Sequence, residues 1–259
     1  MTLAPLPGRL RCGDPLIGTL VTLDSPETAE ALAIAGAGWL FLDGEHSPML
    51  DPGAVQRIAQ TVHGRCYTVA RVPANRAELI ARTLDSGVNG VIVPHVRSAA
   101  DAVEAVRAAK YPPLGRRGVG LARASGYGTD LAVHLAHGNC RTALILQIED
   151  VEAVAELDRI LAVPGVDGIF VGPYDLSASM GRLGDVHHPE VRLAVERVRA
   201  ACRDASVPLG IFTGSAAAAK AEIDSGATLV AVGTDVAFLI EAARSTLAGL
   251  GGSAVTPAS

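Results

Sequence analysis

The sequence predicts a closed parallel (β/α)₈ barrel, and three observations carry that expectation. One phrase, made of a helix end, a glycine, a short turn and an apolar strand, occurs four times, at residues 32–43, 84–94, 161–172 and 223–233. Aligned on Gly36, Gly87, Gly165 and Gly226, these copies end their strands in identical register at Asp43, Pro94, Gly172 and Gly233. The strands themselves are continuously apolar, as strands covered on both faces of a parallel sheet are. Further strand candidates bring the count to eight, and eight βα units favour closure over an open doubly wound sheet.

Taken in chain order, the first strand is expected at Gly18–Leu23, the second at Leu40–Leu42, the third at Tyr67–Arg71 and the fourth at Val91–Val93. The fifth to eighth follow at Ala143–Ile148, Ile169–Val171, Leu209–Phe212 and Val230–Val232. Each aligned glycine suits the left-handed position that ends a helix. One connection is long: Tyr111 to Arg141 is rich in proline and glycine and closes on a weak helix, the kind of segment that is functional or mobile inside a compact domain.

The 259 residues suffice for one barrel, so a single domain spanning 1–259 is expected, with a flexible tail from about residue 250. Hydrophobic residues make up 49% and charged residues 19%, which excludes disorder, and no apolar run approaches the roughly 20 residues needed to span a membrane. Met1–Asp14 lacks the layout of a secretion signal, so the expected location is the cytoplasm. A net charge of −5, no basic cluster and 3% aromatics disfavour nucleic acid as a partner. Cys12, Cys66, Cys140 and Cys202 show no CxxC spacing and read as buried or incidental thiols rather than a zinc site or disulfide framework.

In such a barrel the reactive groups gather at the C-terminal ends of the strands. The inventory there is Asp43, Glu45 and His46 after strand two, Arg71 after strand three, Gln147 and Glu149 after strand five, and Asp175 after strand six. Glu149 and Asp175 come from neighbouring strands and would repel unless a cation bridged them; hard oxygen ligands suit Mg²⁺ or Mn²⁺. The alternative is that each acid caps the helix after it. Arg71 is placed to clamp a carboxylate or steady an oxyanion, or to form a structural ion pair with Asp43 or Glu45. His46, three residues after Asp43, reads as a base oriented by that carboxylate. His95 follows strand four and either lines the pocket or does not, while His134 and His137 are expected on a solvated helix face. The phosphate-binding and GxSxG motifs are absent, and neither Lys110 nor Lys220 stands at a strand end where a Schiff base would form.

The stretches LDGEHSP (Leu42–Pro48), ARVP (Ala70–Pro73), YPPLGRRG (Tyr111–Gly118), LQIED (Leu146–Asp150) and GIFVGPYDLSASMG (Gly168–Gly181) resemble the HpcH/HpaI aldolase family, in order and over nearly the whole chain. The resemblance implies a pyruvate-type barrel and a metal-dependent class II aldolase that joins or cleaves pyruvate and an aldehyde. It implies Glu149 and Asp175 as ligands of a divalent ion (Mg²⁺ or Mn²⁺ first, then Co²⁺ or Zn²⁺) and Arg71 as the keto-acid contact. His46 with Asp43 would move protons, Gln147 and the Tyr174 backbone would touch pyruvate, and Glu45 and Asp85 would be accessory or structural. A homo-oligomer, typically a hexamer exchanging terminal helices, is also implied. His95 and the Gly210–Ser215 loop depart from the resemblance and leave the aldehyde unread. The rivals are oxaloacetate decarboxylation, lysis of citryl- or malyl-CoA thioesters, and a catalytically silent binding barrel.

Overall fold

The computed structural model describes residues 3–48 and 51–249, and in it eight parallel strands close in chain order, the last pairing with the first. They are β1 Leu16–Val21, β2 Trp39–Asp43, β3 Tyr67–Arg71, β4 Gly90–Val93, β5 Ala143–Ile148, β6 Gly168–Val171, β7 Leu209–Thr213 and β8 Leu229–Thr234. All four aligned glycines take positive φ, between 80° and 101°, a region where a side chain would clash and glycine does not. Helices between the strands form the outer layer, several of them started by a hydroxyl: Ser25, Ser98 and Ser215 accept the N–H of Thr28, Asp101 and Ala218. The tail expected beyond residue 250 lies outside the described residues.

Strand parity divides the core into two layers. Leu40, Leu42, Ala70, Val91, Leu144, Leu146 and Ile169 point outward and pack beneath the helices. Trp39, Phe41, Tyr67, Val69, Ile92, Ile145 and Phe170 point inward and fill the barrel. Trp39, Phe41 and Phe170 meet there with ring centroids 5.2–6.4 Å apart, so the interior is packed rather than a channel. Counting two residues on from these inward positions reaches Asp43 from Phe41, Arg71 from Val69, and Gln147 from Ile145. Period-two alternation therefore aims these polar groups up the barrel axis.

Two local expectations are corrected, and one helix joins the expected elements. The first strand ends at Val21 and not Leu23, because the Thr22 and Leu23 amides turn to the buried carboxylate of Asp235, at 3.0 and 2.9 Å. Residues near the N-terminus form a helix, Leu6–Arg11, whose Leu6 and Leu10 are buried with the inward layer and plug the barrel floor. His134 is buried, not solvated: on helix Leu131–Arg141 its Nε2 lies 2.9 Å from the Tyr111 hydroxyl, while His137 is exposed. Among the described residues no helix is long and apolar enough to cross a membrane. All four thiols are free, Cys66 and Cys202 buried and Cys12 and Cys140 exposed.

Candidate active site

Arg71 is the hub of the C-terminal mouth. It pairs in register with Asp43 on β2, and its Nε and Nη2 donate to Asp43 Oδ1 at 3.0 and 2.9 Å. Nη1 lies 3.0 Å from Glu45 Oε2 and 3.5 Å from Gln147 Oε1. The Phe41 ring supports the guanidinium from below, 5.3 Å from Cζ to centroid. Both structural ion pairs anticipated for Arg71 are thus formed, and they fix its orientation, yet the side chain also lines a cavity of about 130 Å³. That cavity is bounded by His46, Arg71, Gln147, Tyr174 and Asp175 over Phe41 and Phe170, bringing five of the expected residues around one space. Larger hollows of about 280 and 470 Å³ open at the opposite ends of the strands, beside Pro208 and Thr228 and beside Cys66 and Asn89. Barrel chemistry is found at the C-terminal face, so the smaller cavity is the relevant one.

Beside the cavity lies a second cluster that the sequence reading underweighted. Glu149 Oε1 accepts the backbone N–H of His95 at 2.7 Å, and Glu149 Oε2 accepts from the Gln147 carboxamide. The His95 ring reaches two acids, with Nε2 2.9 Å from Glu45 Oε1 and Nδ1 3.3 Å from Glu149 Oε1. His95 holds a φ of 59°, uncommon outside glycine although histidine, asparagine and aspartate adopt it more readily than other residues, and such backbone concentrates at functional sites. No local pattern announces that conformation; the imidazole directly after a strand was the available signal.

The other expected residues divide. Asp150, not Glu149, caps helix Val151–Ala155, which removes the capping alternative for Glu149. Asp175 is exposed in the first turn of helix Pro173–Ser179, on the cavity wall, and is not among the groups whose ligand atoms converge most closely. Those groups are Glu45, His95 and Glu149, with ligand atoms all within 4.8 Å. Asp43 Oδ1 receives the backbone N–H groups of Glu45 and His46, at 3.0 and 3.2 Å, so its link to His46 is through the main chain. The imidazole of His46 instead lies 3.8 Å from Glu45 Oε2, because a three-residue spacing on a turn presents an amide, not a ring, to the earlier acid. The Tyr174 carbonyl accepts the Ser177 hydroxyl, and Asp85 pairs with Arg117 at 2.7 Å, away from the mouth.

Electrostatically the mouth is unbalanced. Asp43 and Glu45, whose side chains are largely buried, share the single guanidinium of Arg71, and the buried Glu149 lies beside them against His95 and Gln147. Burial pushes the Glu45 carboxyl above its usual range; Arg71 pulls it down, and Glu149 pushes it up again. Glu45 Oε2 approaches Arg71 off-axis, so it has an ionic contact but no hydrogen bond. Buried acids with an orphaned oxygen and an adjacent imidazole are a donor set that fits a divalent cation.

Residues 16–242 match the family described as HpcH/HpaI aldolase/citrate lyase. Over 251 residues the chain is 41% identical to a hydroxypyruvate/pyruvate aldolase of Paraburkholderia phytofirmans, covering 94% of this chain and 96% of that one. It is 40% identical over 247 residues to a 4-hydroxy-2-oxo-heptane-1,7-dioate aldolase of Escherichia coli, covering 95% and 94%. The solved structure of an HpcH/Hpal aldolase/citrate lyase family protein from Burkholderia cenocepacia J2315 superposes with a TM-score of 0.90 at 40% identity, covering 95% of this chain and 98% of that one. A closed eight-stranded barrel with its polar groups collected at the C-terminal mouth is therefore not an isolated architecture: the chain belongs to the HpcH/HpaI aldolase/citrate lyase family and is a carbon–carbon lyase.

Proposed function

We propose that this chain is a divalent-cation-dependent class II aldolase that reversibly cleaves 4-hydroxy-2-keto acids to pyruvate and an aldehyde. The observation that carries the reading is Arg71, held by two acids on the inward face of β3 and lining the cavity together with Gln147, His46 and Asp175. Both relatives described above carry aldolase names, one of them with pyruvate and the other with a hydroxy-oxo diacid in it.

Glu149 and Asp175 are the residues that would hold the cation, Mg²⁺ or Mn²⁺ before Co²⁺ or Zn²⁺. When bound, it would polarise the keto carbonyl as a Lewis acid. The protein's own groups do the rest. Arg71 donates to the keto-acid oxygens, and its fixed orientation lets it meet the charge that develops on the carbonyl oxygen without reorganising. Gln147 orients the carboxylate end. His46, at the exposed rim, takes the proton of the C4 hydroxyl as the C3–C4 bond breaks. The released electron pair forms the enolate of pyruvate, which takes a proton at C3 from the His46 imidazolium to become the methyl group, while C4 leaves as the aldehyde. In the synthetic direction the same imidazole takes the methyl proton of pyruvate and returns it to the new alkoxide.

Association into a homo-oligomer, a hexamer included, is part of the proposal. Helix Asp235–Gly249 leaves Phe238, Leu239, Ile240 and Leu247 exposed, an apolar surface larger than a single stray residue. The test is retro-aldol turnover of a 4-hydroxy-2-keto acid, read as pyruvate released, with oxaloacetate and citryl- or malyl-CoA as comparison substrates. Activity that disappears in EDTA, returns with Mn²⁺, and falls in Glu149→Ala and Asp175→Ala supports the reading. Full turnover in EDTA, or turnover of a comparison substrate alone, overturns it.

A further inference from the structure

The position of His95 goes beyond a site built only of oxygen ligands. Its Nε2 lies 2.9 Å from Glu45 Oε1 and its Nδ1 lies 3.3 Å from Glu149 Oε1. A neutral imidazole has one N–H and one lone pair. With the N–H given to Glu45 through Nε2, the lone pair on Nδ1 faces a carboxylate oxygen, and two acceptors at that distance repel unless a positive charge joins them. Two ligand atoms adjacent on one cation, each about 2.1 Å from it, stand about 3.0–3.4 Å apart. The observed separation falls in that window.

We infer that His95 is a nitrogen ligand of the cation through Nδ1, beside Glu149, with Glu45 as the carboxylate that fixes its tautomer and aim. This rests on the cation-dependent reading above and deepens it. Three features support it. Ligand atoms of Glu45, His95 and Glu149 converge within 4.8 Å. Glu45 is a buried side chain, 7% exposed, with one oxygen on the ring and the other lacking any hydrogen bond. The backbone N–H of His95, donated to Glu149 Oε1 at 2.7 Å, anchors the ring next to the acid it would share the ion with. A carboxylate holding the far nitrogen of a ligating imidazole is the arrangement that orients metal-bound histidines. The consequence is a changed metal preference: an imidazole adds little to Mg²⁺ affinity and much to that of Co²⁺ or Zn²⁺. The rival is an imidazolium bridging the two acids as a counter-charge, with no bond to the ion.

The experiment titrates the EDTA-stripped full-length protein with Co²⁺ and with Mg²⁺ by calorimetry, and records the visible absorption of the Co²⁺ form. The variants are His95→Gly and His95→Asn, both tolerant of positive φ, with matched thermal unfolding as the folding control. Expected is a loss of Co²⁺ affinity on the order of 10²-fold, near-constant Mg²⁺ affinity, and a shifted Co²⁺ band; Glu45→Gln should weaken Co²⁺ about tenfold. Unchanged Co²⁺ affinity and spectrum in both His95 variants overturns the assignment while leaving the cation reading intact. No binding of either ion by the unaltered protein overturns both.

Discussion

The two ends of the barrel both bury charge, and they do it differently. At the floor, Lys110 Nζ donates to Asp167 Oδ2 at 2.6 Å and to the carbonyls of Thr142 and Asn139 at 2.9 and 3.2 Å. Asp167 Oδ2 also accepts the Leu144 N–H at 3.0 Å, so cation, anion and backbone are mutually satisfied. At the mouth, Asp43 and Glu45 share one guanidinium, Glu149 lies beside them against the His95 ring, and Glu45 Oε2 lacks a hydrogen bond. A satisfied buried pair is scaffold, since it has nothing left to give a ligand. An unsatisfied one stores a demand for positive charge, and that demand is what a site needs.

The contrast can be broken most forcefully at Arg71. Arg71→Met should cut retro-aldol kcat/KM about 10²–10³-fold, because the donor aimed at the developing oxyanion is gone. A steady-state assay on folded protein, checked by circular dichroism, reads it. Next in size is the floor: Lys110→Met leaves Asp167 only the exposed Arg11 guanidinium, 3.5 Å away, as a cation and should cost up to about 3–5 kcal/mol of stability in urea unfolding. Turnover per folded molecule should stay near that of the parent, and a large loss there would mean that the floor is not mere scaffold.

A subtler test is Glu45→Gln. The folded-state pKa of Glu45 is raised, mainly by burial, so the folded protein holds a proton the unfolded chain has already released. Its ionised form therefore costs stability, a cost absent below the ordinary carboxylate pKa and present in full above the folded value. In EDTA at neutral pH the urea midpoint of Glu45→Gln should rise, and the gain should vanish in acid; a fall in the midpoint at neutral pH would show that Arg71 outweighs burial. The smallest effect is at the thiols. Burial pushes Cys66 up to about 11 and Cys202 to about 12. At pH 9 alkylation followed by mass spectrometry should label Cys12 and Cys140 and spare the other two.

Much of this was legible in the sequence, for a physical reason. Strands sandwiched between barrel interior and helices are apolar on both faces, so a polar residue at the end of such a run, as in Asp43, Arg71 and Gln147, marks where packing ends and the mouth begins. The aligned glycines gave the period. What was not legible depended on orientation rather than composition. The Leu6–Arg11 plug buries just Leu6, Pro7 and Leu10, too short a pattern to read as a helix. The burial of His134 depends on Tyr111 from a distant turn. His46 lies near Asp43 in sequence, but the turn brings its amide, not its ring, to that acid. His95 enters the site through a positive φ that no periodicity records.

The most direct measurement is a crystal structure of the protein with Mn²⁺ and pyruvate, read by anomalous scattering at the manganese edge. The account predicts one peak at the mouth, bonded to Glu149, with pyruvate oxygens on the Arg71 guanidinium. A peak elsewhere, or pyruvate seated away from Arg71, would contradict it.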